Sequence, residues 1–118
     1  MEAGVLKIEL KFKSKTLQKL ETEKPEITIG RSLSTDIQID NLAVSKRHAR
    51  IIKHKHQYTV EDLNSTNGTF LNGEKIGKAV LTNNDLIGIG KHSLKIYYKK
   101  ESKKPILDFG DRTVKVKK

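Results

Sequence analysis

Short runs of apolar and β-branched residues recur along this chain from Leu6 to Tyr98, each cut off by Gly, Asn, Asp or Pro. Nowhere does the apolar spacing settle into a helical period. Leu6, Ile8, Leu10 and Phe12 alternate with Lys7, Glu9, Lys11 and Lys13, the pattern of a strand with one buried face. Further strands are expected at Ile27-Thr28-Ile29, Ile37-Gln38-Ile39, His48 to Lys53, Tyr58 to Leu63, Thr69-Phe70-Leu71, Ala79-Val80-Leu81, Leu86 to Ile89 and Leu94 to Tyr98. Residues 14–26 are polar and accommodate either a strand around Thr16 to Leu20 or a short helix ended by Pro25. A parallel α/β fold would need crossover helices that this pattern does not supply. Many short strands at turn-punctuated intervals of about ten residues predict an all-β, antiparallel sandwich or barrel.

The core of such a fold must rest on Ile, Leu and Val, because there is no Trp and aromatic residues make up only 5% of the chain. A length of 118 residues suits one domain. The absence of Cys excludes disulfides and thiolate metal sites. With no bilayer-length apolar run and no signal-peptide pattern, the expected location is cytoplasmic, and Asn64-Ser65-Thr66 is read as a chance glycosylation sequon.

The formal charge of +10 is unevenly placed: residues 99–118 carry eight Lys or Arg against three Asp or Glu, half of the excess. A nucleic-acid footprint should cluster on the fold itself, so a solvated basic tail is the preferred reading. Lys99 to Pro105 is the expected boundary, dividing a domain at 1–98 from a basic tail or linker at 99–118.

Polar residues that strand alternation cannot explain gather in three places. The richest is Asn64-Ser65-Thr66-Asn67-Gly68, which leads through Thr69-Phe70-Leu71 to a second Asn-Gly at Asn72-Gly73. The second pair reads as a tight type I′ hairpin turn. The first has more hydrogen-bonding capacity than a connection requires. The other two are Gly30-Arg31-Ser32 and Ser45-Lys46-Arg47-His48. If the three loops share one end of a sandwich, a guanidinium, hydroxyls and cationic side chains converge. That set suits an oxyanion, since Arg holds phosphate through paired charge-assisted hydrogen bonds.

Gly30-Arg31, then Ser45-x-x-His48, then Asn67-Gly68, in that order and spacing, resembles the forkhead-associated (FHA) domain family, and the likeness covers residues 5 to about 98. The resemblance implies a β-sandwich of two antiparallel sheets, with binding loops at one end, that recognises phosphothreonine in partner proteins produced by a Ser/Thr kinase. It implies no catalysis and no cofactor or metal. By position, Arg31, Ser45, Thr66 and Lys46 would contact the phosphate. Asn67 and Arg47 would contact the peptide, the Asn67 amide by gripping the peptide's main chain beside the phosphothreonine. Gly30, His48 and Gly68 would support the site. Ala43 lies where some members of the family carry a longer polar side chain that reads the peptide further on.

Other readings are weaker. Ser45 and His48 would be the candidates for an enzyme, but no acid is placed to orient the histidine. A nucleic-acid-binding domain acting through its charge and Lys-rich tail is the alternative function, though it lacks aromatic residues for stacking. His54 and His56 sit in a Lys-rich turn, read as surface rather than metal-binding. Gly88-Ile89-Gly90 is a strand and turn, lacking the third glycine and helix of a dinucleotide site. Asp36, Asp40 and Asp62 are read as turn residues. Thr113, if phosphorylated, would make self-recognition possible.

Overall fold

The computed structural model describes residues 5–98. Eleven strands fill them: β1 (Leu6–Phe12), β2 (Lys15–Thr22), β3 (Glu26–Gly30), β4 (Ile37–Gln38), β5 (Ala49–His54), β6 (Gln57–Asp62), β7 (Thr69–Leu71), β8 (Glu74–Ile76), β9 (Lys78–Val80), β10 (Leu86–Ile89) and β11 (His92–Tyr98). They form a six-stranded sheet, in the order β2-β1-β11-β10-β7-β8, and a five-stranded sheet, β4-β3-β5-β6-β9. The expected all-β sandwich is the observed architecture. The tail, including Thr113 and the Lys99 to Pro105 boundary, lies outside the described residues.

Alternation decides which side chains face inward. Leu6, Ile8 and Leu10 of β1 lie beside Ile96 and Leu94 of β11, and meet Ile27, Ile29, Ile51 and Val60 of the other sheet in one buried cluster. Tyr58 is the largest fully buried side chain and packs edge-on against Tyr98, with ring centroids 5.4 Å apart. Isoleucine thus supplies most of what tryptophan or phenylalanine would otherwise fill, consistent with its fit to a pleated, half-buried surface.

The structure decides one open alternative and differs from the sequence reading in two details. Residues 15–22 form the strand, not the helix, because they pair along all of β1 as the sheet's edge, with an irregularity where Leu10 and Lys11 face Gln18 and Thr16. Glu74–Ile76 is a strand that composition hides, placed by the hairpin turn at Asn72 (φ 51°) and Gly73 (φ 91°). The sheets are not wholly antiparallel either. β3 and β4 pair in parallel, Ile29 beside Ile37, because the intervening loop doubles back on itself.

That loop is held by its own side chains. The Thr35 hydroxyl donates to the carbonyl of Ser32, and the Ser34 N–H donates to the Ser32 hydroxyl. The Asp36 carboxylate accepts from both the N–H and the hydroxyl of Thr28. Lys24 completes its shell, and these hydrogen bonds, Lys24 first, hold the Asp36 carboxyl below its ordinary range. Asp36 is therefore a turn residue, as its surroundings in sequence suggested.

Candidate functional site

Gly30 ends β3, Ala49 begins β5, Asp62 ends β6 and Thr69 begins β7, so the three polar loops emerge at one end of the sandwich. Backbone hydrogen bonds tie the first two: Arg31 N–H donates to Ser45 O at 3.0 Å, and Ser32 N–H to Lys46 O at 3.2 Å. Their closeness requires a glycine. A Cβ on Gly30 would lie 2.2 Å from the Lys46 carbonyl oxygen, far inside contact distance.

The third loop joins them through side chains. Thr66 N–H donates to Ser45 Oγ at 3.0 Å, and the Asn67 amide donates to Ala43 O at 2.8 Å. His48, fully buried, stands between the loops: its Nδ1 accepts the Ser45 N–H at 3.1 Å, and its Nε2 lies 2.9 Å from Gly68 O. Accepting at Nδ1 assigns the proton to Nε2, which donates to the Gly68 carbonyl. Both ring nitrogens are occupied by the main chain. His48 is therefore not positioned to take a proton from Ser45 Oγ, and the pairing that an enzyme would need is not formed.

The same bonds define what remains outward. Arg31 Nε donates to Val44 O at 3.0 Å, which orients the guanidinium and leaves its two terminal nitrogens as donors. Ser45 Oγ accepts from Thr66 and keeps its own O–H to donate. Asn67 spends an N–H on Ala43 and keeps its carbonyl oxygen. Lys46, Arg47 and Thr66 are exposed on the same rim, and neither cation is in an ion pair among the described residues. The result is a shallow cationic surface with preoriented donors and no general base.

Sequence reading missed the support beneath the Asn64 to Gly68 loop. Asp62 accepts from Ser65 N–H and Oγ and from Thr69 Oγ, the last at 2.7 Å, while Ser65 Oγ accepts the Gly68 N–H at 2.9 Å. Burial raises the Asp62 carboxyl, but the hydrogen bonds from Ser65 and Thr69 outweigh it and leave the group below its usual range. An Asp three residues before a Ser in a loop of small polar residues is a turn signal that could have pointed to this cluster.

The remaining residues singled out by sequence lie apart. His54 and His56 flank Lys55 in the β5–β6 turn, and no group of three metal-ligating side chains occurs among the described residues. Gly88-Ile89-Gly90 ends β10 and turns into β11, with Gly90 at φ 62°. A concavity of about 570 Å³ lined by Val5, Lys7, Glu9, Glu21, Asn83, Tyr97 and Tyr98 lies at the start of β1 and end of β11, away from the loops. Its two carboxylates make it a poor anion site.

Residues 27–90 match the FHA domain family. The chain belongs to that family. The matched segment spans all three loops, while β1, β2 and β11 lie outside it. Curated relatives include the glycogen accumulation regulator GarA of Mycolicibacterium smegmatis, 39% identical over 72 residues, covering 61% of this chain and 46% of GarA. The oxoglutarate dehydrogenase inhibitor of Corynebacterium jeikeium is 45% identical over 65 residues, covering 55% of this chain and 45% of the inhibitor. The chain thus spans less than half the length of either. Among solved structures, EmbR of Mycobacterium tuberculosis in complex with a low-affinity phosphopeptide superposes with a TM-score of 0.74 at 25% identity, over 83% of this chain and 25% of EmbR. An FHA domain of Arabidopsis thaliana superposes with a TM-score of 0.75 at 22% identity, over 87% of this chain and 92% of that domain, and shows the shared fold.

Proposed function

We propose that this FHA domain is a phosphothreonine-dependent interaction module that binds phosphorylated segments of partner proteins and performs no chemistry. The observation that carries the reading is the meeting of Arg31, Ser45, Thr66 and Asn67 through the hydrogen bonds from Arg31 N–H to Ser45 O, from Thr66 N–H to Ser45 Oγ and from the Asn67 amide to Ala43 O. Arg31 and the Ser45 hydroxyl take the phosphate, with the Thr66 hydroxyl and Lys46 beside them. Asn67 holds the peptide main chain through its free carbonyl oxygen, and Arg47 contacts the peptide flank. A phosphate carries about −1.5 to −2 charges at neutral pH, matched by Arg31 with Lys46. Because the donors are oriented before the ligand arrives, little side-chain freedom is lost on binding.

GarA and the oxoglutarate dehydrogenase inhibitor are, by name, a regulator and an inhibitor rather than catalysts. They support a non-catalytic regulatory role here, with a phosphoprotein as partner. Self-recognition through a phosphorylated Thr113 belongs to the same chemistry.

Isothermal titration with phosphothreonine, phosphoserine and unphosphorylated peptide pools tests the reading. Binding confined to phosphothreonine and lost in Arg31→Ala is the expected result. Binding that survives Arg31→Ala, falls steeply with salt and also occurs with duplex DNA would overturn it in favour of charge-driven nucleic-acid binding.

A further inference from the structure

We infer that Lys75, on the strand after the Asn72-Gly73 turn, reads a second negative charge on the ligand beside the phosphothreonine. That charge is an Asp or Glu carboxylate or a second phosphate. The inference rests on the phosphothreonine reading of the site and adds a preference for acidic segments.

Lys75 comes from outside the three loops, yet it reaches them. β7 and β8 place Phe70 opposite Lys75, and the two side chains close over Gly68. Lys75 Cε lies 2.9 Å, and Phe70 Cε1 3.5 Å, from the point a Gly68 Cβ would occupy. Gly68, at φ 90°, is therefore a position where the Lys75 stem takes the place of a side chain. Asn67 is the adjacent residue, its Cα only about 3.8 Å along the chain, so the Lys75 stem reaches the loop that carries the residue proposed to hold the peptide backbone. The stem is packed against Phe70 and Gly68 while the residue as a whole stays exposed, the arrangement in which an ammonium is presented to solvent on a restrained stalk.

Charge leaves room for such a ligand. Among the described residues Arg31, Lys46, Arg47 and Lys75, like most of the other lysines, have no carboxylate within ion-pair distance. Four cations exceed what one phosphate neutralises. The nearby Asp62 is turned inward on Ser65 and Thr69. On the facing loop Ala43 offers only a methyl group, packed 3.6 Å from where a Gly90 Cβ would lie. Charge recognition thus moves to the wall formed by β8.

The test uses the full chain and a set of phosphothreonine peptides in an uncharged background. Asp is moved singly through the three positions on either side, and phosphoserine is substituted at the preferred position. The readout is the ratio of affinities, Asp or phosphoserine over Ala, for wild type, Lys75→Met and Lys75→Glu. Wild type is expected to prefer the anion roughly two- to fivefold at one or more positions, the range of an exposed ion pair. Lys75→Met should bring that ratio to one, and Lys75→Glu should invert it. An unchanged ratio in Lys75→Met overturns the inference and makes Lys75 only a packing residue over Gly68, even if the variant melts at a lower temperature. Absence of binding by wild type to every phosphothreonine peptide overturns the reading of the site itself, and the role of Lys75 with it.

Discussion

Nε2 of His48 lies 2.9 Å from the carbonyl oxygen of Gly68, twenty residues further along the chain, while Nδ1 of the same ring accepts the Ser45 N–H. One buried side chain thereby fixes the distance between the loop that presents Ser45 and the loop that presents Thr66 and Asn67. His48→Ala removes both bonds and leaves a cavity, at an expected cost of about 2–5 kcal/mol. Phosphopeptide affinity should fall at least tenfold in the fraction that remains folded. Urea denaturation and titration calorimetry on the same variant measure both; full affinity in a folded variant would show that the loops hold their spacing without the ring.

Gly30→Ala acts on the other pair of loops. Its new methyl group must displace the Lys46 carbonyl, and the strain should cost about 1–3 kcal/mol or more. Since the same movement breaks the Arg31–Ser45 and Ser32–Lys46 backbone bonds, affinity should drop together with stability. A variant as stable and as tight-binding as wild type would mean that the close approach is not needed.

Arg31→Lys separates charge from geometry. An ammonium keeps the positive charge, but it cannot donate to Val44 O and still offer two parallel donors to a phosphate. The expected outcome is a loss of most phosphopeptide binding, about tenfold or more, with a melting temperature close to that of wild type. Binding within twofold of wild type would indicate that charge alone suffices.

Asp62 links the site to acid stability. Its carboxyl sits below the ordinary range in the fold, so between that value and the unfolded value near 3.9 the unfolded chain holds more protons and stability rises with pH. The contribution is fully present above the unfolded value and is lost as pH falls through the folded one. Asp62→Asn, which cannot accept from Ser65 and Thr69 as the carboxylate does, should be less stable by roughly 1–3 kcal/mol at pH 7. Chemical denaturation from pH 7 down to pH 3 should show that gap narrowing below about pH 4; a constant gap would place the effect outside the titration of this group.

Local chemistry made part of this protein legible before its structure. The alternation of Leu6, Ile8 and Leu10 with charged neighbours gave the buried face of β1, because side chains in a strand point to opposite sides at every step. Asn72-Gly73 gave the hairpin, because those two residues tolerate the positive φ that the turn demands. The order of Gly30-Arg31, Ser45-x-x-His48 and Asn67-Gly68 marked the loops and the family. Tertiary structure decided what depends on residues distant in sequence. Residues 15–22 extend because β1 offers them an edge, and Ile37 runs parallel to Ile29 because the loop between them folds back on Thr28 and Asp36. The Asn67 amide is partly occupied by Ala43, Asp62 lies beneath Ser65 and Thr69, and Lys75 closes over Gly68. Apart from the short Asp62–Ser65 spacing, these contacts have no local signature: each is set by which strands pair and in what register, and that is determined by the packing of the whole core.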